Sequence, residues 1–313
     1  MPHADSRRVV LAALAGNVAI AACKLAAAIV SRSSATLAES VHSFADTGNQ
    51  LLLLVGMRLA ARPADDRFAF GRASERYFWP FVVALLLFTG GGTFALFEGT
   101  DRLLHPGAGS HSRVFSYAVL GVSLAVEFLS FRVALAEFRK LAAGRSLRAT
   151  LLDTRDPTIP LILAEDGAAI AGLLIALLAV SASEWTGQDF WDPLGSIVIG
   201  VLLCAVALLL AWFTHGLLIG ESATMHERAQ AIALAQAVDG VDRVTQLLTM
   251  HLGPDVVVLA MKVAFRPTFS VNQVEDTTNR IETAIRGAMP HMRKIFVEAD
   301  SKGDMRGVSP STR

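Results

Sequence analysis

Glu39, His42, Asp46 and Asn49 lie three, four and three positions apart inside the apolar stretch 35–59. On an α-helix that spacing stacks all four side chains on one face. His42 and Asp46 by themselves form a divalent-metal half-site, an imidazole nitrogen and a carboxylate oxygen one turn apart. An ionisable residue at bilayer depth costs roughly 2.5–3.5 kcal/mol on the milder insertion scale. A chain that keeps a His and a carboxylate there therefore uses them. The alternative, a pair that only glues helices together by hydrogen bonds, would be met more cheaply by Ser, Thr or Asn.

A second acidic position falls in Leu163-Ala-Glu-Asp-Gly-Ala-Ala. Neighbouring helical residues diverge by about 100°, so Glu165 and Asp166 do not both aim straight at one point, and one of them is expected at a cavity mouth. Gly167, Ala168, Ala169, Ala171 and Gly172 follow, small enough for two helices to approach closely. His42, Asp46 and Asp166 would supply one nitrogen and two carboxylate oxygens, with Glu165 or water as a fourth ligand, a count that suits a four-coordinate, zinc-like ion. Glu39, nearly one turn back on the same face, either gates and shuttles protons or snorkels to the helix end. Lys24 and Asn17 are expected to pair with carboxylates or cap the pathway, Lys24 otherwise serving as a counter-charge. Glu127 stands between a pathway role and an interhelical hydrogen bond. Asn49 closes the polar face. The ion or proton pathway is thus expected to run past Glu39, Asn49, Lys24 and Glu127.

The elements that must position these residues are membrane helices. Of 313 residues, 53% are hydrophobic and only 18% charged, with a mean hydropathy of +0.47; soluble domains carry about 25% charged residues. Six apolar segments are long enough for a hydrocarbon core, which takes about 20 helical residues. They lie near Val9–Val30, Ala35–Leu59, Phe78–Phe97, Val114–Phe138, Ile159–Ala182 and Phe190–Leu218. The first runs too long to be a signal peptide. Asp192-Pro193 reads as a helix start, and Gly90-Gly91-Gly92 as close packing, with a dimer seam as one setting. Cys23 and Cys204, far apart in apolar runs, read as small membrane-helix residues without a disulfide.

Orientation follows from the loops. Arg7 and Arg8 precede the first segment. Arg58, Arg62, Arg67, Arg72 and Arg76 fill the second-to-third connection, and Arg139, Lys140, Arg145, Arg148 and Arg155 the fourth-to-fifth. The opposite loops hold only Arg32, Arg102 and Arg113. The positive-inside rule puts both termini in the cytoplasm. With 28 basic and 28 acidic residues, no nucleic-acid partner is indicated. The partners expected are the lipid bilayer, the cation and protons. An Ala- and Arg-rich composition without a transit-like leader predicts a bacterial inner membrane.

From about Glu221 the character changes. Residues 226–238 read as an amphipathic helix, and Val244–Leu252 and Val256–Phe265 as strands joined by the turn Gly253-Pro254-Asp255. Ser270 caps a second helix, and a short strand covers Lys294–Glu298. The αββαβ order predicts a two-layer α+β domain. The division is therefore a six-helix transport domain over 1–220, a ferredoxin-like or metallochaperone-like domain over 221–301, and a disordered tail over 302–313.

With these residues in hand, the chain resembles the cation diffusion facilitator family of divalent-metal/proton antiporters. The likeness rests on Ser34-Ala-Thr-Leu-Ala-Glu-Ser-Val-His-Ser-Phe-Ala-Asp46, on Pro63-Ala-Asp-Asp66 and Phe70-Gly71 with Glu75, and on Asp192-Pro-Leu-Gly-Ser-Ile-Val-Ile-Gly200. The run Arg76-Tyr-Phe-Trp79 and the Glu165-Asp166 pair are similar to the mitochondrial zinc-exporter branch and its bacterial relatives. The resemblance implies a homodimer exporting a divalent cation, usually Zn2+, by alternating access between the second and fifth spans, in exchange for protons. His42 and Asp46 match the second-span pair and Asp166 the fifth-span Asp. The fifth-span His has no match, because Ile162 stands four positions before Asp166; more oxygen and less nitrogen would harden the site toward Mn2+ or Fe2+. Phe68 and Arg72 occupy loop positions where zinc-binding relatives offer histidines. His251 and His291 lack partners at metal-ligand spacing, so the tail is expected to dimerise without the usual metal sensing. A non-transporting partner subunit with a degenerate site is the rival reading. An intramembrane hydrolase finds no HExxH or nucleophile motif, so no enzyme is expected.

Overall fold

The computed structural model describes residues 18–30, 34–105, 113–142 and 154–300, with residues 32, 144, 146 and 150 singly. Asn17, the first half of the segment Val9–Val30 and the tail 302–313 lie outside the described residues. The described chain forms two units, one comprising residues up to Arg58 with Phe78–Thr214, the other Leu59–Tyr77 with His215 onward.

The first unit is helical. It contains α1 (Val18–Val30) and α2 (Ser34–Ala60). Next, α3 (Glu75–Leu86) passes through a π-helical stretch, Leu87–Thr93, into α4 (Phe94–Leu104). Three more helices follow: α5 (Arg113–Ala142), α6 (Thr158–Thr186) and α7 (Trp191–Ile219). Among the described residues, four spans are long and apolar enough to cross a membrane: Glu75–Leu104, Tyr117–Lys140, Thr158–Thr186 and Trp191–Ile219. The sequence predicts six. α2 has 27 residues, about 40 Å of helix, but Glu39, His42, Asp46 and Asn49 break its apolar character, and α1 is described only from Val18.

The helix ends explain the boundaries. Asp192 accepts from the Ser34 backbone N–H at 2.7 Å and from its hydroxyl at 3.1 Å, which caps α2 from a neighbouring helix. Asp156 accepts from the Thr158 N–H and hydroxyl at the start of α6. Gly187, at φ +67°, ends α6 in the left-handed conformation. The bundle core gathers Leu53, Val83, Leu87, Leu173, Ile199 and Leu203. Leu174, Leu178, Leu208 and Trp212 point outward, as lipid-facing residues do. α5 runs along α6. The glycine run at 90–92 falls in the π stretch, where a Cβ on Gly92 would lie 2.5 Å from Cys204 Sγ, so α7 presses on this backbone; Gly90 has open space around it.

The second unit contains α8 (Met225–Gln236), β1 (Val241–Gly253), β2 (Val256–Phe265), α9 (Val271–Ala288) and β3 (Lys294–Ala299). β1 pairs antiparallel with β2, and β2 parallel with β3, in the order β1-β2-β3. This is the predicted αββαβ order, with β1 starting three residues earlier than expected. Both helices carry capping boxes, Thr224 with Glu227 and Ser270 with Gln273. Strand alternation sends Leu247, Leu259, Met261 and Ile295 into a core with Ile281 and Ile285. The opposite face leaves Leu248, Met250 and Phe296 exposed, and Leu248, Ala260 and Phe296 stand side by side across the three strands.

Residues 59–77 belong to this second unit. Asp65 organises the loop: its carboxylate accepts from the N–H groups of Arg67 and Phe68 and from Arg72 Nη2 at 3.2 Å. The Phe68 N–H above all, then Arg72, hold the Asp65 carboxyl below its usual range. The Arg72 guanidinium lies 4.0 Å from the Phe68 ring centroid. Arg76 Nη1 donates to Asp255 Oδ2 at 2.8 Å, and Phe70 meets Phe296 edge-on at 6.3 Å between centroids.

Candidate cation site in the helix bundle

The polar face of α2 is buried as its spacing predicts. Glu39, His42 and Asn49 are fully buried. His42 Nε2 lies 3.5 Å from Asp46 Oδ2. Among the described residues, neither ring nitrogen of His42 has a hydrogen-bond partner, and Asp46 Oδ1, Asn49 Oδ1 and both Glu39 oxygens likewise accept no hydrogen bond, Glu39 Oε2 having only the Lys24 ammonium at 3.7 Å. Buried polar atoms without partners are rare in folded proteins and ask for an explanation such as an ion.

Beside this face lies a cavity of about 280 Å3, lined by Ser43, Asp46 and Gln50 of α2, Glu127 and Ser130 of α5, and Thr158, Glu165 and Asp166 of α6, with apolar residues between. Glu165 and Asp166 thus both reach one cavity while turning to different helices, as their divergence on α6 requires. Asn49 Nδ2 donates to Glu165 Oε1 at 2.8 Å. The Ser130 hydroxyl donates to Asp166 Oδ2 at 3.0 Å. Ile162 also lines the cavity, where a fifth-span His would otherwise stand.

Lys24 is the internal counter-charge. Fully buried, its Nζ donates to Ser43 Oγ at 2.6 Å and lies 3.7 Å from Glu39 Oε2 and 3.9 Å from Glu127 Oε1. Glu39 presses on the backbone of α6, and a Cβ on Gly172 would overlap its Oε1. Among the described residues Lys24 thus pairs with two carboxylates, Glu39 and Glu127, while Asp46, Glu165 and Asp166 line the cavity without such a cation partner. A negative excess in a low-dielectric interior is expensive unless protons or a cation neutralise it.

The four proposed ligands do not converge in this arrangement. Among the described residues, no three His, Cys, Asp or Glu side chains stand close enough to hold one ion. His42 and Asp46 form one pair, Glu165 is tied to Asn49, and Asp166 to Ser130. Sequence reasoning missed Ser130, although it lies three positions after Glu127 on one face of an apolar helix. It also missed Asp192 as the cap of α2. In the tail, His291 Nε2 lies 3.0 Å from Glu227 Oε1, and His251 Nδ1 lies 3.0 Å from the Glu221 carbonyl.

Comparison with known proteins follows the same division. Residues 10–219 match the family model of the cation efflux transmembrane domain, and residues 225–302 that of the cation efflux protein cytoplasmic domain. Metal tolerance protein C4 of Arabidopsis thaliana is 30% identical over 301 residues, covering 96% of this chain and 64% of that one. The mitochondrial proton-coupled zinc antiporter SLC30A9 of Xenopus laevis is 34% identical over 201 residues, covering 64% of this chain and 36% of that one. The chain thus spans less than two thirds of the length of these relatives. The solved MamM CTD aligns at 19% identity with a TM-score of 0.24, over 25% of this chain and 96% of that one.

Proposed function

Because this chain belongs to the cation efflux family, a family of membrane transporters and not of enzymes, we propose that it exports a divalent cation, zinc first, in exchange for protons. The observation that carries the proposal is the buried His42–Asp46 pair beside a cavity into which Glu127, Glu165 and Asp166 also open. The Xenopus relative is a proton-coupled zinc antiporter, which supports zinc.

In this reading His42, Asp46, Asp166 and Glu165 bind the cargo, and their side chains gather around it as it enters. Binding needs a neutral imidazole and ionised carboxylates, so the cation displaces protons and returning protons displace the cation. Asn49 and Ser130 aim two of the carboxylates, the role outer hydrogen bonds play at metal sites. Lys24 balances Glu39 and Glu127 whether or not cargo is present. α2 and α6 rock to open the site first to one side and then to the other. The protein works as a homodimer, and the exposed Leu248, Met250 and Phe296 of the sheet face meet a second copy. Both termini lie in the cytoplasm in this reading, which the Arg-rich loops support.

A second reading keeps the mechanism and changes the metal. Ile162 lines the cavity where a nitrogen ligand would be, so the site is rich in oxygen, which suits manganese or iron. Metal-driven proton flux in reconstituted vesicles, across zinc, manganese, iron, cobalt and cadmium beside Asp166→Ala, separates these readings. Zinc-coupled flux lost in the variant supports the first, and flux with manganese or iron alone supports the second. Absence of flux with every metal would return the chain to a non-transporting subunit.

A further inference from the structure

The second unit holds a cavity that cation transport does not use. It has a volume of about 550 Å3 and is lined by residues 60–64 and 70–73 from the loop, together with Val256, Arg286, Pro290, Arg293 and Lys294. Five of the lining side chains are cationic, Arg62, Arg72, Arg286, Arg293 and Lys294, and none is acidic. The positive-inside rule accounts for arginines in a loop after a membrane helix. It does not account for three further cations from α9 and the approach to β3 meeting them around one concavity.

The local partners leave much of this charge unanswered. Arg72 pairs with Asp65 at 3.2 Å, and Arg286 with Glu282 at 3.2 Å. The Lys294 ammonium lies 5.9 Å from the Phe70 ring centroid. The side chains of Arg62 and Arg293 make no hydrogen bond or ion pair among the described residues. Five cations less two paired acids leave an excess of three positive charges. Like charges held together repel, and such a cluster is stabilised by a ligand of opposite sign. Four of the five are arginines, whose planar forks suit phosphate oxygens two at a time.

From this cluster we infer that the cavity is a binding site for a multivalent phosphate, carried either by a lipid headgroup or by a soluble organic phosphate. Its volume falls in the range of small-molecule sites, about 300–1,000 Å3, and leaves room for more than one phosphate. Two sources share this chemistry. Ala60, the last residue of α2, is itself part of the lining, which favours a headgroup. A ligand here would bridge the loop cations Arg62 and Arg72 to Arg286, Arg293 and Lys294, fastening residues 59–77 to α9 and β3.

The test uses the full chain in detergent and the double variant Arg62→Gln/Arg293→Gln, which removes two cations without breaking any pair. Calorimetric titration with pyrophosphate reads the soluble source. Mass spectrometry after passage through phosphatidylcholine vesicles with and without cardiolipin reads the lipid source. Saturable pyrophosphate binding, weakened about tenfold per arginine removed, supports the site with a soluble ligand. Retained cardiolipin lost from the double variant supports it with a lipid. Arg62→Lys/Arg293→Lys keeps the charge but not the fork and is expected to fall between, with an unchanged melting temperature as the folding control. Absence of both ligands from the wild-type protein, or their equal retention by the glutamine variant, would overturn the inference.

Discussion

Ser34 and Asp192, 158 residues apart, form the N-terminal cap of α2: one carboxylate oxygen takes the Ser34 N–H at 2.7 Å and its hydroxyl at 3.1 Å. The helix that carries His42 and Asp46 is therefore fixed at its start by the first turn of α7. An acidic cap borrowed from another helix does two things at once, satisfying an orphan amide and complementing the positive helix end.

Asp192→Ala removes both bonds from a buried site. The expected cost is about 1–3 kcal/mol, the range for a lost cap and for hydrogen bonds to a charged group. Asp192→Asn retains an acceptor oxygen and should lose less. Thermal melting of the detergent-solubilised protein orders the three forms, and an alanine variant as stable as wild type would remove the cap from the account.

Gly172→Ala puts a methyl where Glu39 Oε1 lies. Either the carboxylate leaves Lys24 or α6 draws back, and both lower the melting temperature. The double variant Gly172→Ala/Glu39→Ala should recover part of that loss, giving a coupling of about 0.5–3 kcal/mol in a double-mutant cycle. Additive effects would mean that the two residues do not meet.

Asn49→Ala leaves Glu165 without its donor. If Glu165 is a ligand, metal affinity should fall about 10–100-fold, as it does when outer-shell hydrogen bonds are removed. Cation-dependent proton flux measured against metal concentration separates this from a folding defect, because the maximal flux should change less than the half-saturating concentration.

Glu227 sets a pH limit on the C-terminal unit. Burial pushes its carboxyl up, but the Thr224 hydroxyl and N–H, with His291 and His251 nearby, outweigh this and bring it below its ordinary 4.5. A carboxyl lowered on folding contributes stability that is complete above 4.5 and fades as pH falls through the lower folded value. Thr224→Ala should cost about 1 kcal/mol at neutral pH, and its deficit should shrink as the pH drops below 4.5. Melting curves of both forms across that interval show whether the two lines converge.

The sequence carried the α2 face because helical periodicity is local: four polar residues at 39, 42, 46 and 49 need only the 3.6-residue turn to line up. It also carried β2 to the residue, since Gly253-Pro254-Asp255 and the run of β-branched residues mark both ends. Ser270 with Gln273 was readable as a cap for the same reason. Thr224 with Glu227 has the same signature, yet the helix was expected to begin one residue late. What was not legible depends on distant partners. Nothing near Asp192 says that it caps a helix 158 residues earlier, and no local signal groups residues 59–77 with the tail rather than with the helices on either side. The choice between Asn49 and Ser130 as donors to Glu165 and Asp166 likewise depends on which helices face α6.

The π-helical stretch Leu87–Thr93 gives the span Glu75–Leu104 a wider turn at its midpoint. One residue more than an α-helix needs shifts the phase of everything after it by about 100°. A helical wheel drawn straight through the span would thus place Gly99, which touches Pro193 and Ile197 of α7, on the wrong side. Shortening the stretch by one residue would swing α4 like a key turned in its lock, whereas most single replacements there would leave its orientation alone. The length of this segment, more than the identity of its residues, sets which side of the span meets α7.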